Sequence, residues 1–152
     1  LILLFCIKTF LMATSTMELI PYLDFNGDCE EALNFYKEIL DGRVEVASRY
    51  DNPAMKAPED YKNKILHARL YFGNLMIYAS DVMPGKSGSQ SAGRIALSLG
   101  LRDEVLAKKI FDQLAAGAKI GVPFEKQFWG DWHGNLVDRF GIRWMINAGK
   151  QQ

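Results

Sequence analysis

The sequence predicts an α+β fold made of two modules, each with the element order βαβββ. Two amphipathic patterns predict one helix per module, and segments that alternate apolar and polar residues, typical of strands buried on one face, surround each helix. A break between the modules is the third observation, because residues 82–93 hold Pro, Gly and Ser without apolar periodicity. We therefore expect modules at about residues 18–81 and 94–148, joined by this linker within one domain of residues 17–150.

The first predicted helix has a signal at each end. Asp28 occupies an N-cap position and Glu31 follows three residues later, which is the pattern of a capping box. Apolar residues then recur at helical spacing as far as Leu40, and Asp41-Gly42 supplies a C-terminal stop. The second helix is predicted at residues 103–116 by the same spacing.

The remaining elements are strands, turns and one long loop. Alternating segments bounded by turn residues predict strands at residues 19–25, 43–50, 64–72, 74–81, 94–100, 118–125, 127–137 and 143–148. Residues 51–63 contain Pro and Lys and are predicted to form a loop. Asp138-Arg139-Phe140-Gly141 predicts a hairpin turn, because Asp can accept from its own downstream backbone and Gly tolerates positive φ.

Composition excludes several functional classes. The 152 residues carry 18 Lys and Arg against 18 Asp and Glu, so no strong field is available to attract nucleic acid or an anionic membrane, and we expect neither as a partner. Two cysteines, Cys6 and Cys29, make neither a disulfide scaffold nor a four-thiolate zinc site. The two histidines, His67 and His133, leave little material for a histidine-rich metal centre.

The first 16 residues are expected to be an N-terminal extension outside the fold. Their apolar stretch is interrupted by Lys8 and is shorter than the roughly 20 residues that a membrane-spanning helix needs. No basic segment precedes it, as one would in a secretory signal, although an anchor or targeting role stays open. Cytoplasmic location is the default expectation.

Strand parity separates an apolar face from a mixed one. Side chains alternate between the two faces of a strand, and one set of alternate positions is aliphatic or aromatic throughout, which places it under the helices. The other set mixes aromatic, cationic, hydroxyl and small side chains, a composition typical of a small-molecule pocket. That set is Tyr22, Asp24, His67, Arg69, Tyr71, Met76, Tyr78, Ser80, Arg94, Ala96, Ser98, Arg143, Met145 and Asn147.

Three segments resemble the PhnB-like branch of the vicinal-oxygen-chelate superfamily, the glyoxalase/bleomycin-resistance/dioxygenase group. They are IPYLDFNGDCEEALNFYKEIL, ILHARLYFGNLMIYASD and FWGDWHGNLVDRFGIRW, and the resemblance runs from about residue 18 to 148. It implies two βαβββ modules in a cupped eight-stranded mixed sheet, and a homodimer. Some members of the branch are described as demethylubiquinone methyltransferases, but the sequence has no Gly-rich S-adenosylmethionine loop, so we do not expect that activity.

The resemblance also implies where a glyoxalase-type metal ion would bind. The four implied positions fall near Ile20, Tyr78, Arg94 and Met145, which are not the usual His and Glu ligands. Arg donates hydrogen bonds and ligates no metal. A register error of two residues would bring Asp24, Ser80 or Asn147 into these positions. We therefore expect no cofactor, although a divalent metal is not excluded.

The leading functional hypothesis is a metal-independent protein that binds a small anionic or aromatic molecule. The predicted ligand-binding residues are Tyr22, Asp24, His67, Arg69, Tyr78, Arg94, Met145 and Trp129. Arg69 and Arg94 would bind a carboxylate or phosphonate, unless Asp24 neutralises one of them.

Two other functions and several residue roles stay open. One function is a metal-dependent lyase, isomerase or dioxygenase, and the other is a non-catalytic dimer whose cleft its own side chains fill. His67 is an acid/base group, a lone metal ligand or a structural group, and His133, placed in a Gly-flanked loop, is expected to be structural. Trp129 lies at a cleft rim or dimer contact, or plugs a sheet end, and Cys29 is expected to be buried and inert.

Overall fold

The fold contains eight strands and two α-helices in the order that the sequence predicts. The structure is a computed structural model that describes residues 18–86 and 94–149. The elements are β1 (Tyr22–Phe25), α1 (Cys29–Ile39), β2 (Arg43–Arg49), β3 (Ile65–Phe72), β4 (Leu75–Asp81), β5 (Leu97–Leu101), α2 (Glu104–Leu114), β6 (Lys119–Lys126), β7 (Trp132–Val137) and β8 (Arg143–Ala148). Two short 3₁₀ helices, Pro53–Met55 and Glu59–Tyr61, lie in the predicted loop between β2 and β3.

Three predicted strands begin too early. β1 begins at Tyr22 rather than 19, β5 at Leu97 rather than 94, and β7 at Trp132 rather than 127. Residues 127–131 form a turn in which Gln127 N donates to Asp131 O, so they cannot extend β7. β8 agrees at both ends. The predicted extension of residues 1–16 and most of the linker lie outside the described residues.

The strands form two four-stranded mixed sheets. Their orders are β1-β4-β3-β2 and β5-β8-β7-β6, which is the same arrangement in each module. In each sheet the first and last strands of the module pair in parallel and the other neighbours are antiparallel. The predicted α+β class is therefore confirmed, with the eight strands in two sheets rather than in one continuous sheet.

The faces predicted to be apolar are largely buried under the helices, but Leu75 and Ile95 of these sets are 51 % and 82 % exposed. Ala68, Leu70, Ile77 and Ala79 are at most 3 % exposed beneath α1, and Trp144 and Ile146 are fully buried in the second module. Both helices direct an apolar face into the same core.

The cap of α1 comes from a distant strand rather than from Asp28. The Asp28 side chain makes no capping bond to the helix and accepts instead from Asn26 N. Asp81, at the end of β4 and 1 % exposed, accepts from the backbone N–H of Gly27 and of Cys29 at 2.9 Å each. Its second oxygen accepts from Ile65 N at 2.8 Å. The predicted capping box is wrong, because the Asp28 side chain turns back to Asn26 N and the buried Asp81 carboxylate binds other amides at this helix start.

A second buried carboxylate joins the modules. Asp138, 4 % exposed in the β7–β8 turn, accepts from the Tyr36 hydroxyl of α1 at 2.6 Å and from Trp144 Nε1 at 2.9 Å. Its other oxygen accepts from the backbone N–H of Phe140 and Ile142, which confirms the predicted Asp turn. A helix of the first module is thus hydrogen-bonded to the hairpin of the second.

Candidate functional site

Three rings are in contact on the face of the first sheet opposite α1. Tyr22 of β1, His67 of β3 and Tyr78 of β4 have ring centroids 4.9 to 6.2 Å apart, with Tyr78 edge-on to both of the others. His67 Nδ1 lies 3.3 Å from the Tyr22 hydroxyl, and among the described residues its Nε2 has no hydrogen-bond partner. These three predicted site residues therefore form one cluster.

Arg69 borders this cluster, and one of its guanidinium nitrogens has no hydrogen-bond partner among the described residues. Its guanidinium lies 5.7 Å from the centre of the Tyr78 ring, and its Nη1 donates to Glu45 at 2.8 Å. Its Nε is buried and has no hydrogen-bond partner among the described residues. Glu45 rather than Asp24 is the counter-ion of Arg69, so the predicted Asp24–arginine pair is absent for this arginine. Asp24 lies beside Ser80, whose hydroxyl is 3.5 Å from its carboxylate.

The second sheet carries a different cluster in the equivalent place. His133 lies on β7, not in a loop, and its Nδ1 is 2.7 Å from Asn147 Oδ1. Asn135 Nδ2 lies 3.4 Å from the other ring nitrogen, and Asn147 also donates to Ser98. Because both ring nitrogens have amide partners, this histidine is held as a structural group. The predicted set omits Asn135, which shares its strand parity with His133.

Register shows which positions of the two modules correspond. Tyr22 pairs with Tyr78 in the first sheet as Ser98 pairs with Met145 in the second. The residues beside Tyr78 and Met145 are therefore Tyr22 and Ser98, not Ile20 and Arg94 as the resemblance implies. The third strand of each module carries one histidine in the equivalent position, His67 on β3 and His133 on β7. Each lies two residues before the residue that pairs with Tyr78 or Met145.

The other predicted site residues lie apart from the ring cluster. Met145 is on the same face of the second sheet as Asn147, and Trp129 is 54 % exposed in the β6–β7 turn, with its ring 6.3 Å from that of His133. Arg94 is exposed and lies three residues before β5, so its predicted place on a strand facing the cleft is wrong.

A cavity of about 550 Å³ lies between the two modules. Residues before β1, the start of β4 and β5 line it, with Trp144 behind them. Its walls are mainly apolar, and Ser98 supplies a hydroxyl. None of the eight predicted ligand-binding residues lines this cavity. Ile20 and Met76, which do line it, lie two positions before the predicted residues Tyr22 and Tyr78.

Cys29 is buried at the start of α1, as expected. It is 0 % exposed, and burial, helped by the nearby Asp81 carboxylate, raises the pKa of its thiol. A thiol that keeps its proton and has no access to solvent does not act as a nucleophile.

Comparison with known proteins identifies the family. The family model described as 3-demethylubiquinone-9 3-methyltransferase matches residues 17–147. The chain belongs to this family. Protein YjdN of Escherichia coli strain K12 is 32 % identical to it over 146 residues, which cover 90 % of this chain and 98 % of that protein.

Solved structures confirm the PhnB-like resemblance and the fold. Protein PA1353 from Pseudomonas aeruginosa is 34 % identical with a TM-score of 0.77, covering 88 % of this chain and 98 % of its own. A structure described as a putative 3-demethylubiquinone-9 3-methyltransferase, PhnB protein, from Bacillus cereus is 22 % identical with a TM-score of 0.75, covering 88 % and 100 %. Structures described as glyoxalase/bleomycin-resistance/dioxygenase proteins share the fold.

The described residues do not fit the methyl-donor cofactor that the family description implies. Adenosine-containing cofactors commonly bind where a glycine-rich loop joins a parallel strand to the start of a helix. At the β1–α1 junction Asp81 already binds the amides of Gly27 and Cys29. At α2, Asp103 accepts from the amides of Val105 and Leu106. Both helix starts are thus used by carboxylates of the chain itself.

The described residues do not fit a glyoxalase-type metal site either. The corresponding inward positions hold two phenols, a hydroxyl and a thioether, at Tyr22, Tyr78, Ser98 and Met145. These are poor ligands for zinc, nickel or manganese. Within residues 18–86 and 94–149 no three His, Cys, Asp or Glu side chains are grouped to hold a metal ion.

Neither α-helix in the described part of the chain is long and apolar enough to cross a bilayer.

Proposed function

We propose that this member of the glyoxalase/bleomycin-resistance superfamily binds a small aromatic anion on the polar face of its first sheet, without a resident metal ion. The observation that carries the proposal is the Arg69 guanidinium beside the Tyr22, His67 and Tyr78 rings, since its side chain is 34 % exposed and Glu45 contacts it through Nη1. An anionic ligand can accept charge-assisted hydrogen bonds from the exposed part of this guanidinium.

The rings support an aromatic body for the ligand. Tyr78 presents its edge to Tyr22 and His67, so a planar molecule can stack on the exposed faces of these rings. Tyr22 is 49 % exposed, which leaves its ring accessible. Glu45 contacts Nη1 of Arg69, and the exposed part of the guanidinium stays available for a carboxylate or phosphonate. His67 Nε2 offers a second polar contact.

The test compares charged and uncharged probes of similar size. Benzoate and phenylphosphonate should bind more tightly than benzyl alcohol by isothermal titration calorimetry, and added EDTA should not change their affinities. Arg69→Gln should weaken the two anions by about tenfold, because charge-assisted hydrogen bonds are lost, and leave benzyl alcohol unchanged.

Arg139→Gln is the matched control. Arg139 also pairs with a glutamate and stacks on an aromatic ring, but it lies on the helix side of the molecule. Equal affinities for all three probes, or equal losses in the two variants, would contradict the proposal. If Arg69→Gln lowers thermal stability while no anion binds the native protein, the cluster is a self-satisfied structural network.

We also propose that the chain forms a homodimer through the edge strands β1 and β5. Within each sheet these are edge strands, and large apolar side chains are exposed beside them: Leu19 at 99 %, Ile95 at 82 % and Leu75 at 51 %. Sedimentation equilibrium should give twice the mass of the chain, and the mass of one chain at micromolar concentration would contradict this.

A further inference from the structure

A groove of about 610 Å³ opens on the helix side of the second module, away from the polar face of the first sheet. Its volume lies within the range of small-molecule sites. One face of α2 forms a wall, and two aromatic residues from β6 and β7 form the floor. The lining residues are Glu104, Val105, Lys108, Lys109, Asp112, Gln113, Phe124 and Trp132.

The same helix face is sealed in the first module. The two helices correspond when their N-cap positions are superposed, because the buried Ala32 and Ala107 then coincide. In this alignment Leu33, which is fully buried in α1, corresponds to Lys108, which is exposed in α2.

Unequal connections cause the difference. In the first module residues 50–64 join β2 to β3, and the buried rings of Tyr50 and Tyr61 pack edge to face in this connection. Arg49 closes that side by donating both terminal nitrogens to Glu30 on α1. In the second module only residues 127–131 join β6 to β7, so the corresponding side of α2 is left open.

The open groove combines an aromatic floor with two available charges. The rings of Phe124 and Trp132 stack with centroids 5.7 Å apart and planes 17° apart. Lys108 and Asp112 neutralise each other at 2.6 Å. Among the described residues Glu104 and Lys109 form no ion pair, and they stand five positions apart on the helix, about 7.5 Å along its axis.

We propose that this groove binds a small aromatic zwitterion, such as an aromatic amino acid. The ring stacks against Trp132, Glu104 accepts from the ammonium group, and Lys109 donates to the carboxylate. Both side chains are long and flexible, so they reach a ligand lying between them. Neither polar group is needed to fold α2, since Asp103 already caps this helix.

Three probes that differ by one charged group test the proposal. L-Phenylalanine carries both charges, 2-phenylethylamine lacks the carboxylate, and 3-phenylpropanoate lacks the ammonium group. Isothermal titration calorimetry should show L-phenylalanine binding about fivefold more tightly than either analogue, the scale expected for partly exposed ion pairs.

Charge-only variants locate the contacts. Glu104→Gln should weaken L-phenylalanine and 2-phenylethylamine and leave 3-phenylpropanoate unchanged, whereas Lys109→Gln should weaken L-phenylalanine and 3-phenylpropanoate and leave the amine unchanged. Trp132→Leu should weaken all three probes. Trp129→Leu is its control, because Trp129 does not line the groove. A change in folding alone would not produce this crossed pattern.

Three results would overturn the proposal. The first is no binding of L-phenylalanine at about 10 mM, a concentration at which even a weak site would be occupied. The second is equal affinity for the three probes, and the third is loss of binding in the Trp129→Leu control. Because Arg69 lies on the polar face of the first sheet, Arg69→Gln should leave L-phenylalanine binding unchanged. Because 3-phenylpropanoate is itself an aromatic anion, the ligand class proposed for the Arg69 site, all three titrations are also made in the Arg69→Gln background. The crossed pattern should persist there, and its loss in that background would overturn the groove proposal without touching the anion site proposed above.

Discussion

Replacing Asp81 with asparagine tests whether a strand residue, rather than the adjacent Asp28, holds the start of α1. The native carboxylate accepts three backbone hydrogen bonds at 2.8 to 2.9 Å, two at the helix start and one from Ile65. An asparagine of the same shape keeps one oxygen. Its amide group must face at least one N–H, so a donor is left against a donor in a site that is 1 % exposed.

The expected loss follows from these contacts. A hydrogen bond to a buried charged acceptor contributes about 1.5–3 kcal/mol, and the retained oxygen also loses its charge, so Asp81→Asn should lower the free energy of unfolding by about 2–4 kcal/mol. For a chain of this length that corresponds to a fall in Tm of about 10 °C. Asp28→Ala removes one exposed bond to Asn26 N and should cost less than about 0.5 kcal/mol.

Urea unfolding followed by circular dichroism measures both variants against the native protein. The ratio of the two losses is the decisive quantity, because either variant alone could be shifted by the denatured state. A larger loss for Asp28→Ala than for Asp81→Asn would refute the assignment of the cap. It would restore the local capping box that the sequence predicts.

Two further predictions concern packing and pH. Gly134→Ala should cost about 1–3 kcal/mol in thermal unfolding, because a Cβ there would lie 2.7 Å from the Phe111 ring and 2.8 Å from the Phe124 backbone; an unchanged Tm would contradict this packing. Burial raises the pKa of Tyr36 and raises that of Tyr61 to about 12. The unfolded chain therefore ionises these tyrosines first, so their contribution to stability should be fully present below pH 10 and fall as pH rises above it. Urea unfolding at about pH 9 and 11 should show a smaller fall in the free energy of unfolding for Tyr36→Phe than for the native protein.

Strand parity made most of the fold predictable from sequence. Alternation is a local property with a period of two residues, so it identifies the buried face of β3, β4 and β8 without knowledge of their partners. The same parity places Tyr22, His67 and Tyr78 on one face, and the structure shows their rings in contact.

The errors arose where distant residues decide the local structure. Asp28 and Glu31 form a credible capping pattern, but the sequence does not show that Asp81, 52 positions from Cys29, binds amides at the same helix start. Arg94 has the parity of a strand residue, yet β5 begins at Leu97, because pairing with β8 begins there. Glu45 was missed as the partner of Arg69 because cross-strand register, unlike parity, depends on the hairpin connection.

The hydrogen bond between Tyr36 and Asp138 has a use in protein engineering. It crosses from one half of the repeated architecture to the other, and Trp144 donates to the same oxygen. If the chain were cut within the linker, each of the two fragments would expose its half of this shared core. Each fragment should therefore fold poorly alone and fold when it binds the other fragment. The two halves are therefore a natural pair for a split reporter whose signal depends on reassembly.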